Sequence, residues 1–420
     1  MRTIPPKQQW NIPIFRPDMG TWQARLLQIN NQEDADRELI RIGVDPGGIA
    51  RMAAKMLTRA VHLTGLQCRQ ANILKQEMLA LGGDAAVARG TVACSIMSTD
   101  VILIGTEKQL RALCSKLAPQ PFGLPDLAAE LSTVLTNSVT APKIWRTSQR
   151  DLSLSRPLIM GILNVTPDSF SDDSHYMDPQ RAVERALEMV EEGADIIDIG
   201  GESSRPGASA VDEVLESERI VPVISALAGR MNRAISVDTW KSRVARDAMA
   251  AGAEIINDIS GFTFDSSLAE VVALTGAGVV LMHTRGTPET MQRNTVYGDL
   301  LGEVIQGLRG TLLTAEASGI DRRNIALDPG IGFGKDCAGN LEILRRLREF
   351  DSLGQPLLLG TSRKTFIGKI LGRDIGDRLH GTAATVAMAV AQGASILRVH
   401  DVRAMRDVAD MTHAIMTKAG

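Results

Sequence analysis

Aromatic residues are scarce in this 420-residue chain, at 3%, with only two tyrosines. A surface that grips single-stranded nucleic acid needs a row of rings for the bases to stack on, so that class is disfavoured at once. Cysteine is scarce as well. Cys68, Cys94, Cys114 and Cys337 stand without CxxC pairing or metal-ligand spacing. That excludes a disulfide scaffold and a structural zinc site, and reads as reduced thiols in a cytoplasmic protein. No apolar run approaches the ~18 residues that a membrane span needs. The opening MRTIPPKQQWNIPIF has no apolar segment of the kind a cleaved signal peptide carries. Runs of Lys or Arg are missing too. The net charge of −3 hides 18 basic against 12 acidic residues in 1–150, and 28 against 37 in 151–420. A dispersed basic excess of that size does not make a nucleic-acid surface.

What is present is a globular composition, 44% hydrophobic and 23% charged, in two textures. Residues 1–20, rich in proline and polar groups, read as an extended arm. Residues 21–140 read as a small α/β domain, with strands at 38–44 and 101–104 and helices at 49–63, 70–81, 107–117 and 125–136. No chemical motif stands out there. The polar stretch 141–156, with Pro142, reads as a linker.

From 157 onward, short apolar runs alternate with amphipathic stretches. The runs fall at 158–165, 196–200, 235–239, 255–259, 279–283, 325–328, 357–361 and 396–400, with helical patterns such as 179–192, 211–228 and 403–416 between or after them. Continuous apolar strands are those of a parallel sheet covered on both faces. Eight strand–helix units in this length predict an α/β fold, a C-terminal (β/α)8 TIM barrel preceded by the small α/β N-terminal domain. An open doubly wound sheet shares the same unit and is the alternative.

Each run ends in a polar group: Asn164, the Glu202–Arg205 turn, Asp238, Asn257 with Asp258, His283, Asp328, Arg363–Lys364, and Arg398 with His400. Taken singly, Asp or Asn after a strand is more often a helix cap or a turn residue. Together they point to the C-terminal rim of a barrel, where such folds build their sites. Asp238, Asp328 and Asn257 offer acceptors suited to a heterocycle with adjacent N–H groups, such as a guanine-like or pterin ring. Arg205, Lys364, Arg398 and His400 form a basic set within an acidic segment and imply an anion site. The Gly-rich loop GIGFG at 330–334 can add backbone donors to it.

The segments GILNVTPDSFSD at 161–172 and GGESSRPG at 200–207 resemble the paired signature of the dihydropteroate synthase family, the folate-pathway enzymes that sulfonamides inhibit. The resemblance continues through SVDT at 236–239, NDISG at 257–261, LMH at 281–283, DPGIGFGK at 328–335, GTSRK at 360–364 and RVHD at 398–401. It covers nearly all of 157–420, so that this segment is expected as the pterin-binding barrel, and leaves the first 150 residues outside. It implies a magnesium-dependent condensation of 6-hydroxymethyl-7,8-dihydropterin diphosphate with p-aminobenzoate that releases pyrophosphate. It also implies that Asp238, Asn257, Asp328 and Lys364 hold the pterin, with Met282 against the ring. Asn164, Ser204, Arg205, Arg398 and His400 take the diphosphate, Asn164 also ligating Mg2+. Phe333, Pro206, Lys364 and Arg205 lie near the p-aminobenzoate. On the same resemblance Asp238, Asp328, Lys364, Arg205 and Arg398 are expected to carry the catalysis, and a homodimer through the last barrel helices is the family's habit. His283 and His380 are expected to be structural. Two departures stand out: Asp173-Ser174-His175 follow Asp172 where glycines are usual, and Ser204 replaces the commoner threonine. The competing readings are a methyltetrahydrofolate-dependent corrinoid methyltransferase, which has no use for the basic set, and a non-catalytic pterin-binding paralogue.

Overall fold

The structure, a computed structural model, describes residues 24–166, 179–203, 205 and 207–417. The arm expected over 1–20, the departure at Asp173–His175, Ser204 and Pro206 lie outside the described residues. The chain divides into two compact units, Met1–Ala128 and Ala129–Gly420.

The first unit contains α1 (Gln32–Arg41), α2 (Pro46–Met56), β1 (Thr58–Gln67), α3 (Cys68–Ala80), β2 (Asp84–Val87), β3 (Ser98–Thr106) and α4 (Glu107–Leu117), and the division falls within α5 (Leu124–Asn137). β1 and β2 flank β3 in antiparallel pairing. Burial alternates along β3, with Val101 and Leu103 on the covered face. Two expectations fail here. Residues 38–44 are the end of α1 and the turn after it, not a strand. Asn31 caps that helix by accepting the Asp34 N–H at 2.8 Å, and Ala35 and Leu39, four residues apart, bury one face. The helix expected over 49–63 stops at Met56. Leu57 is extended, and the β-branched Thr58, Val61 and Thr64 continue as β1.

After the rest of α5, the second unit has a hairpin of β4 (Ile144–Arg146) and β5 (Asp151–Ser153). Eight parallel strands follow: β6 (Leu158–Asn164), β7 (Ile196–Gly200), β8 (Ala234–Asp238), β9 (Ile255–Asp258), β10 (Gly278–Met282), β11 (Ile325–Asp328), β12 (Leu358–Leu359) and β13 (Ile396–Val399). They alternate with α6 (Pro179–Glu191), α7 (Glu213–Ala228), α8 (Ser242–Ala251), α9 (Leu268–Thr275), α10 (Leu300–Ala317), α11 (Cys337–Arg345), α12 (Thr365–Leu371), α13 (Leu379–Ala391) and α14 (Val402–Thr417). The hydrogen-bonded order runs β11-β10-β9-β8-β7-β6-β13-β12. A parallel bridge between Leu327 and Leu357 joins the two ends, with the Leu327 N–H donating to the Pro356 carbonyl at 2.9 Å. The sheet is therefore a closed barrel, and the open-sheet alternative is excluded. No helix among the described residues is long and apolar enough to cross a membrane.

Side chains alternate along each strand, and the two parities have different fates. Ile159, Ile197, Val237, Ile256, Val279 and Leu327 pack outward in the large apolar cluster shared with the helices. Leu158, Met160, Ile196, Ala234, Ile255, Val280, Ala326, Leu358 and Ile396 meet inside the barrel. Trp145 joins this inner layer, fully buried, with its indole Nε1 donating to the Asn324 carbonyl at 2.8 Å. The segment 141–156, expected as a linker, is thus the plug of the barrel's N-terminal mouth. Its polar residues include Thr147, which is buried and donates to Glu254 Oε2 at 2.9 Å, and Arg150, which pairs with the same carboxylate, so a composition that suggested a tether serves to anchor the hairpin.

Candidate active site

One step nearer the C-terminal ends, the inward parity changes from apolar to polar. Asp198 follows Ile196, Ser236 follows Ala234, Asn257 follows Ile255, Asp328 follows Ala326 and Arg398 follows Ile396, each two residues on, and Asp238 stands two beyond Ser236. Strand register sets Asn164, Gly200, Asp238 and Asn257 side by side on β6 to β9, and Met282 beside Asp328. The barrel floor is apolar and the layer above it is charged.

Arg398 ties this layer together. Its Nε donates to Asp198 Oδ2 at 2.6 Å and its Nη2 to Asp238 Oδ2 at 2.5 Å. Asn257 Nδ2 donates to the same Asp198 oxygen at 3.1 Å. These bonds cross the interior between strands that are not neighbours. Burial works against the guanidinium, but Asp238 and Asp198 outweigh it and hold Arg398 ionised. Burial likewise pushes the Asp238 carboxyl well above the usual carboxylate range, with Arg398 opposing and Asp198 reinforcing the shift. Asp328 is also pushed up by burial, while its Oδ1 accepts the Gly330 N–H at 2.7 Å. Gly330 has φ +74, and a side chain there would meet the His283 carbonyl at 2.0 Å, so only glycine serves.

Lys364, half-buried, closes one side. Its Nζ lies 4.3 Å from the centre of the Phe333 ring, and burial lowers its pKa to about 8. Phe333, Met282, Ile259 and Met291 form an apolar wall with Trp240 packed against it. On the other side, His400 has its pKa pushed down to about 3, first by burial and then by Arg363, Arg398 and Arg205 among nearby charges. Arg205 is exposed in the loop after β7. Asn164 ends β6, half-buried.

Several strand-end residues serve the loops instead. Asp258 accepts from the Ser260 and Phe262 backbone N–H groups at 2.7 and 2.6 Å and shapes the turn after β9, its pKa raised by burial to about 6. Glu202 accepts the Val211 N–H at 2.9 Å and pairs with the buried Lys241, which also pairs with Glu216. Arg363 turns to Asp401. His283, half-buried, has Nδ1 3.2 Å from Lys335 Nζ, and desolvation carries its pKa down to about 3.

Two residues escaped the sequence reading. Asp198 is fully buried and central to the polar layer. The signal was there: a lone acid within the apolar run IIDIG, on the same parity as Ile196. Lys335, 2% exposed, donates to the Phe333 carbonyl at 2.9 Å and reaches the His283 carbonyl at 3.3 Å, and burial lowers its pKa to about 7. Nothing in its local pattern marks it as buried.

The family model described as pterin binding enzyme matches residues 160–400, more than half of the chain. The chain belongs to the pterin-binding enzymes. It is similar to the dihydropteroate synthase of Synechocystis, 48% identical over 261 residues, which cover 62% of this chain and 90% of the relative. Its fold is similar to that of the Xanthomonas albilineans dihydropteroate synthase solved with 4-aminobenzoic acid, at 41% identity and a TM-score of 0.62, covering 66% of this chain and all of the other. A third relative, the probable bifunctional folylpolyglutamate synthase/dihydropteroate synthase of Haloferax volcanii, is 40% identical over 397 residues, 91% of this chain. That match extends into the first unit. This pterin-binding chain spans about half the length of that relative, 46%.

Proposed function

We propose that this chain is a dihydropteroate synthase, joining 6-hydroxymethyl-7,8-dihydropterin diphosphate to p-aminobenzoate with release of pyrophosphate. The observation that carries the reading is the inward polar layer, in which three carboxylates, Asn257, Arg398 and Lys364 gather above an apolar floor. Asp238, Asp328 and Asn257 accept from and orient the N–H edge of a pterin, and Met282 and Phe333 supply the apolar faces. Lys364 joins them on the pterin side, and Arg205, Arg398 and His400 are the groups that would take the diphosphate.

In the reaction, the pterin CH2–O bond breaks with its electron pair leaving on the diphosphate. The aniline nitrogen then forms the C–N bond and sheds a proton. Charge develops at both ends. Cationic character in the ring is favoured by the Asp198, Asp238 and Asp328 carboxyl groups, whose oxygens face it. Anionic charge on the leaving group is met by the basic side, and preorganised electrostatics of this kind usually contribute more to catalysis than any other effect. No side chain has to act as a nucleophile.

Magnesium suits this site as an ion shared with the substrate. Among the described residues no group of three or more His, Cys, Asp or Glu could hold a metal by itself. Instead, the Asn164 Oδ1 and Asp238 Oδ2 oxygens flank Gly200, lying 3.8 and 3.6 Å from where its Cβ would sit. Mg2+ typically takes one or two protein oxygens and completes its shell with phosphate and water. Asn164 would hold it, and the ion would neutralise charge on the departing diphosphate.

The reading includes a cytoplasmic setting, supported by four free cysteines. It also includes a homodimer, supported by the exposed Ile370, Leu379, Met388 and Met411 on α12 to α14 and checked by light scattering. The corrinoid methyltransferase gives no reason for the basic side. Incubating the protein with both substrates and Mg2+ should yield dihydropteroate and pyrophosphate in equal amounts. Tight pterin-diphosphate binding without product would instead favour the non-catalytic paralogue.

A further inference from the structure

The loop after β12 holds a non-glycine residue in the left-handed region, Arg363, at φ +56. A bulky L-residue adopts that backbone only where its surroundings enforce it. Here they do. The Arg363 N–H donates to Thr382 Oγ1 at 3.1 Å, and its carbonyl accepts from Arg378 Nη1 at 2.9 Å. Its guanidinium takes both oxygens of Asp401, Nε reaching Oδ2 at 3.1 Å and Nη2 reaching Oδ1.

One residue earlier, Ser362 Oγ accepts the His400 N–H at 3.2 Å and lies 3.0 Å from His400 Nδ1. Two successive residues of the β12 loop are thus bonded to two successive residues of the β13 loop. The next residue along is Lys364, over the Phe333 ring.

Stability does not explain the arginine. Its ion pair leaves the two side chains 40% and 25% exposed, and pairs at such positions add little. Glycine would serve the turn without strain. What arginine supplies is a planar fork that fixes one loop against the other.

We propose that the Arg363–Asp401 pair is a brace that fixes the loop carrying Lys364 to the loop carrying His400, so that the pterin side and the diphosphate side of the site are held as one unit. Arg363 and Asp401 are positioning residues in this scheme, which rests on the dihydropteroate synthase reading for its substrates.

The test uses Arg363→Gly, which relieves the backbone while removing the fork, and Asp401→Asn, which leaves Arg363 in place. In the ligand-free full-length protein, acetylation of Lys364 by a water-soluble succinimidyl ester, followed by mass spectrometry, should accelerate several-fold in both variants. Their melting temperatures should stay within a few degrees of the parent. KM for the pterin diphosphate should rise, and kcat/KM should fall roughly ten- to a hundredfold, the scale of a small misplacement of a reacting group. The double variant should be no worse than either single one, because the two residues act through one contact. Parental labelling rates and parental KM in both variants overturn the brace, and with turnover intact they leave the functional reading standing. Faster Lys364 labelling in proteins that never turn over the two substrates supports the brace and refutes the functional reading.

Discussion

Removing the Asp198 carboxylate should damage the site although no motif assigns that residue a role. Asp198 Oδ2 accepts from Arg398 Nε at 2.6 Å and from Asn257 Nδ2 at 3.1 Å, and the side chain is fully buried. A hydrogen bond to a charged group contributes about 1.5–3 kcal/mol net, and one partner of a buried pair left alone costs about 3–5 kcal/mol. Asp198→Ala should therefore destabilise the fold by about 3–5 kcal/mol. The milder Asp198→Asn keeps one acceptor but turns amide against amide at Asn257. It should lose roughly ten- to a hundredfold in kcat/KM.

The substitution also has a signature in pH. Asp198 is one of the charges raising the Asp238 pKa, so its loss should bring Asp238 down and move the acidic limb of kcat/KM to lower pH. The stability contribution follows the same sign. A carboxyl whose folded pKa is raised holds an extra proton relative to the unfolded chain, whose Asp titrates near ~3.9. Its contribution is complete below that value and is lost as pH rises through the folded pKa, so Asp198→Asn should narrow the window from above. Pyrophosphate release followed across pH, with calorimetry of pterin-diphosphate binding, reads both effects. Binding and kcat/KM within twofold of the parent (roughly 0.4 kcal/mol), with an unmoved acidic limb, would refute the placement of Asp198 in the layer.

Three further outcomes are expected. Lys364, with its pKa lowered by burial to about 8, should lose its proton and its donor role as pH climbs through that value, giving kcat/KM a basic limb there. Lys364→Arg should abolish the limb while lowering kcat, and a parental pH profile would remove Lys364 from the chemistry. Trp145→Ala should cost about 3–5 kcal/mol in chemical denaturation, the penalty for emptying a large buried site, whereas an unchanged midpoint would deny the hairpin its role as plug. A chain begun at Ala129 should melt cooperatively, while one begun at Pro157 should melt lower or aggregate, because the apolar floor loses its cover; equal melting would show the barrel needs no cap.

The eight barrel strands were legible because each is a short Ile/Val/Leu run bounded by polar residues, and burial on both faces leaves no other pattern. The polar endings were legible for the same reason: Asp238, Asp328 and Arg398 interrupt apolar runs where a solvated loop offers no explanation. The first unit was harder. The apolar spacing of the helix Pro46–Met56 runs on without a breaker into Thr58–Leu63, and only pairing with Ser98–Thr106 commits Thr58–Gln67 to a strand.

Local pattern thus determined which segments are strands, where each meets the rim, and which residue types stand there. Tertiary structure decided everything that depends on partners distant in the chain. Closure through Leu327 and Leu357 made a barrel of what could have been an open sheet. Inward parity separated the apolar floor from the charged layer, turning Trp145 into a plug and Asp198 into a member of the site. Arg398 and Asp198 are 200 residues apart in sequence and 2.6 Å apart in space. Lys335 shows the same limit, since its burial comes from the loops that fold over it. Periodicity is a property of neighbours along the chain, whereas burial and charge pairing are properties of neighbours in space.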